Sequence, residues 1–144
     1  MEQRMSMVTL GVADLGRARR FFCDGLGWSE LQPDQTEIVF FQLPGLALAL
    51  WPADELAKDA GLAPRTGGFG GITLAINMPS PAEVDAVMAE AESAGARILK
   101  RAAETFWGGY SGYFSDLDGH PWEVAHNPFC TIAPDGGTVF KPSS

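Results

Sequence analysis

The sequence predicts an α+β fold in which two βαβββ modules pair into a curved, cup-forming mixed sheet with helices outside. Three observations predict it. Ile72-Thr73-Leu74 repeats the apolar-polar-apolar order of Val8-Thr9-Leu10, 64 positions further on. Each triplet is followed by helical periodicity and then by strand-like runs. Asp116-Leu117-Asp118-Gly119, a cluster of turn residues between alternating aromatic and small residues, reads as the tip of a β-hairpin.

In chain order, Met7 to Val12 places Val8, Leu10 and Val12 on one face and Met7, Thr9 and Gly11 on the other, a strand with unequal sides. Asp14 offers a helix N-cap, and Leu15, Ala18, Phe21, Phe22 and Leu26 recur at helical spacing until Gly25 and Gly27 end the run. Cys23 lies in that helix as a small core or half-buried residue. Trp28 to Leu31, Glu37 to Leu43 and Gly45 to Trp51 read as three strands, the last two joined at Pro44-Gly45. These elements make a first module over about 5–52.

Residues 53–70 form a connector, a short helical piece from Ala53 to Ala60 followed by the Gly- and Pro-rich GLAPRTGGFGG, long enough to cross between halves or to act as a flap. The second module, about 71–128, starts with the Ile72 triplet. Its helix begins with Ser80 as N-cap, Pro81 at the first position and Glu83 set for a capping box, and Gly95 closes it. Val84, Val87, Met88, Ala91 and Ala94 form the buried stripe. Ala96 to Ala102 reads as a strand, and the Asp116–Gly119 hairpin adds two more. The tail, 129–144, holds a turn at Asp135-Gly136-Gly137 between two short apolar pieces. It is expected to wrap the domain surface or a partner subunit, with its last residues frayed.

With 144 residues, 46% of them apolar, the chain is one domain with a real core or two small halves sharing one. A net charge of −8 argues against nucleic acid and anionic membrane surfaces, which need a positive field. The N-terminus lacks the apolar core of a signal peptide, and no run approaches a membrane span. Cys23 and Cys130 stand apart without a C-x-x-C, which suits a reducing cytoplasm and gives no disulfide framework.

The two sheets are expected to bury Val8, Leu10 and Val12, with Ile72, Leu74 and Ile76, under the helices. The opposite parity carries Thr9 and Gly11, then Gly71, Thr73 and Ala75, side chains too small to fill a core at normal packing density. A cup follows, with Trp51, Phe106, Trp107, Tyr110 and Tyr113 as candidate walls and rim, beside Thr9 and Thr73. One carboxylate, Glu123, stands in the mostly apolar strand Pro121 to His126, with Ala125 on its side and Trp122, Val124 and His126 on the other. It is a carboxylate satisfied by backbone amides or an Arg, a counter-charge for a cationic ligand, or a general base whose pKa burial has raised.

VTLGVADLGRARRFFCDGLGW, GITLAI and GYFSDLDGHPWEVAHNP together resemble the vicinal oxygen chelate superfamily, which includes glyoxalase I, extradiol dioxygenases, fosfomycin-resistance enzymes and bleomycin-resistance proteins. The resemblance implies a homodimer with its site inside the cup. It also implies metal ligands at four positions, which fall here on Met7, Ala49, Gly71 and Glu123. Only Glu123 can bind a hard divalent ion. Catalytic zinc ordinarily takes three protein ligands, and non-haem iron two His and one carboxylate. This chain has two His, His120 and His126, each an odd number of residues from Glu123. Leu117 departs from the family's frequent Asp-Pro-Asp-Gly turn.

The leading expectation is a metal-free, cytoplasmic, homodimeric binding protein that takes a small apolar or cationic molecule and needs no cofactor. One alternative is a lyase, isomerase or dioxygenase using Zn, Ni, Mn or Fe in a rearranged site drawn from Glu37, Glu55 or Glu104. The other is a metal-free acid/base enzyme with Glu123 as its catalytic base.

Overall fold

The computed structural model of the chain describes residues 1–141. They fall into two compact units, Met1–Gly70 and the remainder from Gly71 onward.

In the first unit, β1 (Met7–Val12) runs parallel to β3 (Leu46–Pro52), which pairs antiparallel with β2 (Val39–Leu43), giving the order β1-β3-β2. The expected cap is present: the Asp14 carboxylate accepts the Arg17 amide at 2.9 Å and starts α1 (Leu15–Arg20). The helix then widens into a π-helical turn, Phe21–Gly25, and Gly27, at φ 72°, turns the chain away. Widening brings two consecutive aromatics inward. Phe21 and Phe22 are both buried, and Phe22 meets Phe41 of β2 at 5.6 Å between ring centroids. Their apolar floor is Leu10, Val12, Val39, Leu48 and Leu50, all buried.

Trp28 to Leu31, expected as a strand, is not one. Its ladder contribution is a single hydrogen bond from the Leu31 amide to the Phe40 carbonyl, 2.9 Å. The Trp28 ring anchors in the core, 5.3 Å from both Phe22 and Phe41. Arg19 reaches Glu30 at 3.0 Å and the Gln35 carbonyl at 2.6 Å, so side chains hold this segment where a sheet edge would have. A seven-residue helix, α2 (Ala53–Asp59), follows β3.

The second unit has a four-stranded sheet of order β4-β7-β6-β5: β4 (Leu74–Asn77), β5 (Arg97–Glu104), β6 (Tyr110–Ser115) and β7 (Pro121–His126). β4 is parallel to β7 and the remaining pairs are antiparallel. The cap of α3 (Pro81–Ser93) forms as expected: Ser80 Oγ accepts the Glu83 amide and donates to the Glu83 carboxylate at 2.9 Å. Of its expected stripe, Val84, Met88 and Ala91 are buried while Val87 and Ala94 are half-buried. The helix packs on β5, β6 and β7, against Phe114, Trp122 and Val124. β4 is the sheet's outer strand, away from that cover. Ile72 and Ile76, expected under the helix, are consequently 68% and 37% exposed.

The hairpin turn is as expected, with Gly119 at φ 82° and the Asp116 amide bonded to the His120 carbonyl. The tail forms a two-stranded hairpin, β8 (Cys130–Ile132) and β9 (Thr138–Phe140), around the expected turn, where Asp135 takes the Gly137 amide. The expectation of frayed last residues falls on Pro142–Ser144, outside the described residues. Among the described residues no helix is long and apolar enough to cross a membrane.

Candidate functional site

Alternation along β7 decides where Glu123 stands. Trp122 and Val124 point to α3 and are buried beneath it, which leaves Glu123 on the opposite face. There it lies directly across from Tyr113 on β6 and from Ala75 on β4. It is half-buried, between Ala125 and Ser111, which are buried, and Tyr113, which is half-buried. A carboxylate withdrawn from water in this way needs a polar partner. Register sets Tyr113 opposite it, and burial first, then the interaction with Glu123, raises the Tyr113 pKa, so the phenol stays protonated beside the carboxylate.

Other candidates lie elsewhere. Tyr110 has the parity of Gly112 and Phe114, and its hydroxyl donates to Asp85 of α3 at 2.8 Å. That puts it on the helix side of the sheet, away from Glu123. Phe106 is fully exposed at the tip of the β5–β6 turn, while Trp107 folds back on the same turn. A Cβ on Gly109 would fall inside the Trp107 ring, so glycine there is a packing requirement. Thr73 is exposed, one residue before β4. In the first unit, Thr9 is half-buried opposite Ala49, with Phe40 one strand further on, and Trp51 lies opposite Gly11.

The small residue at Gly11 does not open the space expected of it. A Cβ there would come within 3.1 Å of Ala53 Cα and Cβ, because α2 packs over this part of the sheet. Gly11 is small to admit a helix. The second sheet has a cavity of about 210 Å³, lined by Asp85, Met88, Ala89, Glu92, Ile98, Arg101 and Ala102. It opens between α3 and β5, on the face opposite Glu123. Its polar side chains already engage partners, Asp85 taking the Tyr110 hydroxyl and Glu92 lying 3.8 Å from Arg101, whereas Glu123 faces Tyr113 on the other side of the sheet, and that side is the candidate site.

The residues at the four metal-ligand positions do not suit a divalent ion. Met7 offers a soft thioether, and Ala49 and Gly71 offer no side-chain donor. Among the described residues no group of three or more His, Cys, Asp and Glu side chains is gathered to hold an ion. Glu37, Glu55 and Glu104 are all exposed. His126 Nδ1 lies 3.2 Å from the Met78 carbonyl and His120 Nδ1 lies 3.0 Å from Asp116 Oδ2, and neither ring is gathered with other ligating side chains among the described residues. Burial pushes the Cys23 thiol up, away from nucleophilic use.

The Asp116 cluster was not foreseen. This carboxylate is 6% exposed and accepts the Asp118 and His120 amides, His120 Nδ1 and Trp122 Nε1. The one sequence signal for it is the Asp-x-Asp-Gly spacing, which favours an Asx turn without announcing the side-chain partners.

The family model for the glyoxalase/bleomycin resistance protein/dioxygenase superfamily matches residues 4–124. The chain belongs to that superfamily. Among solved structures it is similar to a glyoxalase-related enzyme from Fulvimarina pelagi, at 37% identity and a TM-score of 0.90, covering 98% of this chain and 100% of the other. It is also similar to a lactoylglutathione lyase from Agrobacterium tumefaciens, at 25% identity and a TM-score of 0.66, over 88% of this chain and 96% of the other. A superfamily enzyme from Burkholderia phytofirmans PsJN, 19% identical, shares the fold with a TM-score of 0.73 over 85% of this chain and 98% of its own. No curated protein matches the chain. Superfamily membership accounts for the α+β architecture and open mixed sheets. It does not by itself select a reaction.

Proposed function

We propose that this superfamily member is a metal-free binding protein for a small apolar or cationic molecule, with Glu123 as the counter-charge. The observation that carries this reading is the Glu123–Tyr113 pair on the face that α3 leaves uncovered. A half-buried carboxylate facing a phenol across the strand pair retains acceptor capacity for a ligand ammonium. The donor chemistry at Met7, Ala49 and Gly71 supports the metal-free part of the proposal. Cys23 and Cys130, both free thiols, favour a cytoplasmic setting, and membership of the superfamily favours a homodimer.

A second reading has a specific observation behind it. A carboxylate beside a neutral phenol is an acid–base couple, and Glu123 would then abstract a proton from a bound substrate. Elemental analysis of purified protein, followed by a thermal-shift ligand screen with and without chelator, tests the proposal. It expects substoichiometric metal and ligand shifts that chelator leaves unchanged. Stoichiometric Zn, Ni, Mn or Fe would overturn it in favour of a rearranged metal site. Turnover that Glu123→Gln abolishes without chelator sensitivity would favour the acid–base reading.

A further inference from the structure

Building on the binding role proposed for Glu123, we infer that the ligand is an amphoteric small molecule, its protonated amine on Glu123 and its carboxylate-type anion on Lys100. Ala75, Glu123, Tyr113 and Lys100 form one row across the second sheet, each directly opposite the next on the neighbouring strand. Lys100 stands between two register shifts of the β5–β6 pair, and its pairing with Tyr113, with Ile98, Arg101 and Ala102 lining the α3 side, keeps the row on the face away from α3. Adjacent strands are about 4.8 Å apart, which puts the Lys100 backbone about 10 Å from that of Glu123, with the Tyr113 ring between them. Arg97, opposite Ser115, adds a second cation to the same face of β5. Arg101 belongs to the other side, lining the cavity under α3, with its guanidinium 3.8 Å from Glu92.

The row is polar and asymmetric: anionic at its centre, cationic toward β5, and small at Ala75. Lys100 is exposed and makes no ion pair among the described residues. A ligand with an amine alone would use Glu123 and leave Lys100 unanswered. One that also carries an anion, with the charges separated by a flat or apolar body, spans the Tyr113 ring and engages both ends. The sign order fixes its direction, cation over β7 and anion toward β5. A lysine on an edge strand also guards against stray strand pairing, and that role alone would make it indifferent to any ligand.

Three probes of nearly equal shape separate these cases: 4-(aminomethyl)benzoate, 4-methylbenzylamine and 4-methylbenzoate, titrated calorimetrically into the full chain at low salt. 4-(Aminomethyl)benzoate is expected to bind about three- to fivefold tighter than 4-methylbenzylamine, with the advantage shrinking as salt rises. Lys100→Met should remove that advantage, Lys100→Arg should keep it, and Glu123→Gln should weaken the binding of both amines. Thermal unfolding of each variant checks that the fold is intact. If 4-methylbenzylamine binds in a Glu123-dependent way but the added carboxylate gains nothing, or Lys100→Met leaves the gain in place, the amphoteric ligand is overturned while the binding role of Glu123 survives. If no probe binds, or Glu123→Gln leaves binding untouched, the binding role itself fails and this inference falls with it.

Discussion

His120 Nδ1 lies 3.0 Å from the buried carboxylate of Asp116, which also takes the Trp122 indole N–H, so one side chain ties both ends of the β6–β7 turn. The hydrogen bond to Asp116 raises the His120 pKa above 6.5, reinforced by the charges of Asp116 and Asp118 and opposed by burial. The folded state therefore holds this proton more tightly than the unfolded chain does. The resulting stabilisation is fully present below about pH 6.5 and is lost as pH rises through the higher folded value. His120→Gln should lower the melting temperature more at pH 6 than at pH 8. An equal loss at both pH values would show that the imidazolium contributes nothing.

Two glycines differ in how hard their neighbours are to move. A Cβ on Gly112 would meet the Ala102 amide nitrogen and Met88 Cε at 2.9 Å and the Lys100 carbonyl at 3.0 Å. Two of those atoms are backbone of the adjoining strand, so Gly112→Ala should lose about 1 to 3 kcal/mol in urea unfolding, and Met88→Ala in the same chain should recover little of it. Gly11→Ala meets α2 at 3.1 Å, but this short helix buries none of its residues and can shift. Its loss should be the smaller of the two, with increased protease cleavage over 53–70.

Ser80 caps α3, the helix whose Val84 and Ala91 close the second core. Ser80→Ala should lower stability by about 1 kcal/mol, and Ser80→Asp should retain most of it, because a carboxylate can accept the same amide. Chemical denaturation of the two variants side by side reads the difference.

The chain has two tyrosines, each raised by a different carboxylate: Tyr110 by Asp85, through its hydrogen bond, and Tyr113 by burial and then Glu123. In alkaline absorbance titrations, Asp85→Asn should lower one half of the transition and Glu123→Gln the other. If Glu123→Gln leaves both transitions in place, the Tyr113–Glu123 pair described above does not form.

Local chemistry was legible where a few adjacent residues suffice. Asp14 and Ser80 cap their helices, Gly45 and Gly119 turn their hairpins, and alternation along Pro121–His126 sets Glu123 apart from Trp122 and Val124. The relation of Glu123 to Tyr113 was half legible: both were candidates, but only pairing in register makes them neighbours.

An apolar run such as Trp28–Leu31 looks the same whether it joins a sheet or drops one ring into a core. The side of the sheet that Tyr110 takes depends on Asp85, 25 residues away on α3. Small residues around Gly11 look like empty space in the sequence, and α2 fills it.

The amino-acid sequence alone therefore determined most of the elements, with their caps and turns, and the donor types at the four metal-ligand positions. Each depends on residue type and on neighbours within about one turn or one strand. Tertiary structure decided which faces are covered, which carboxylate each tyrosine meets and that Lys100 lies in line with Glu123. These follow from the register of strands and the reach of helices, where residues distant in the chain compete for the same space and no local pattern records the outcome.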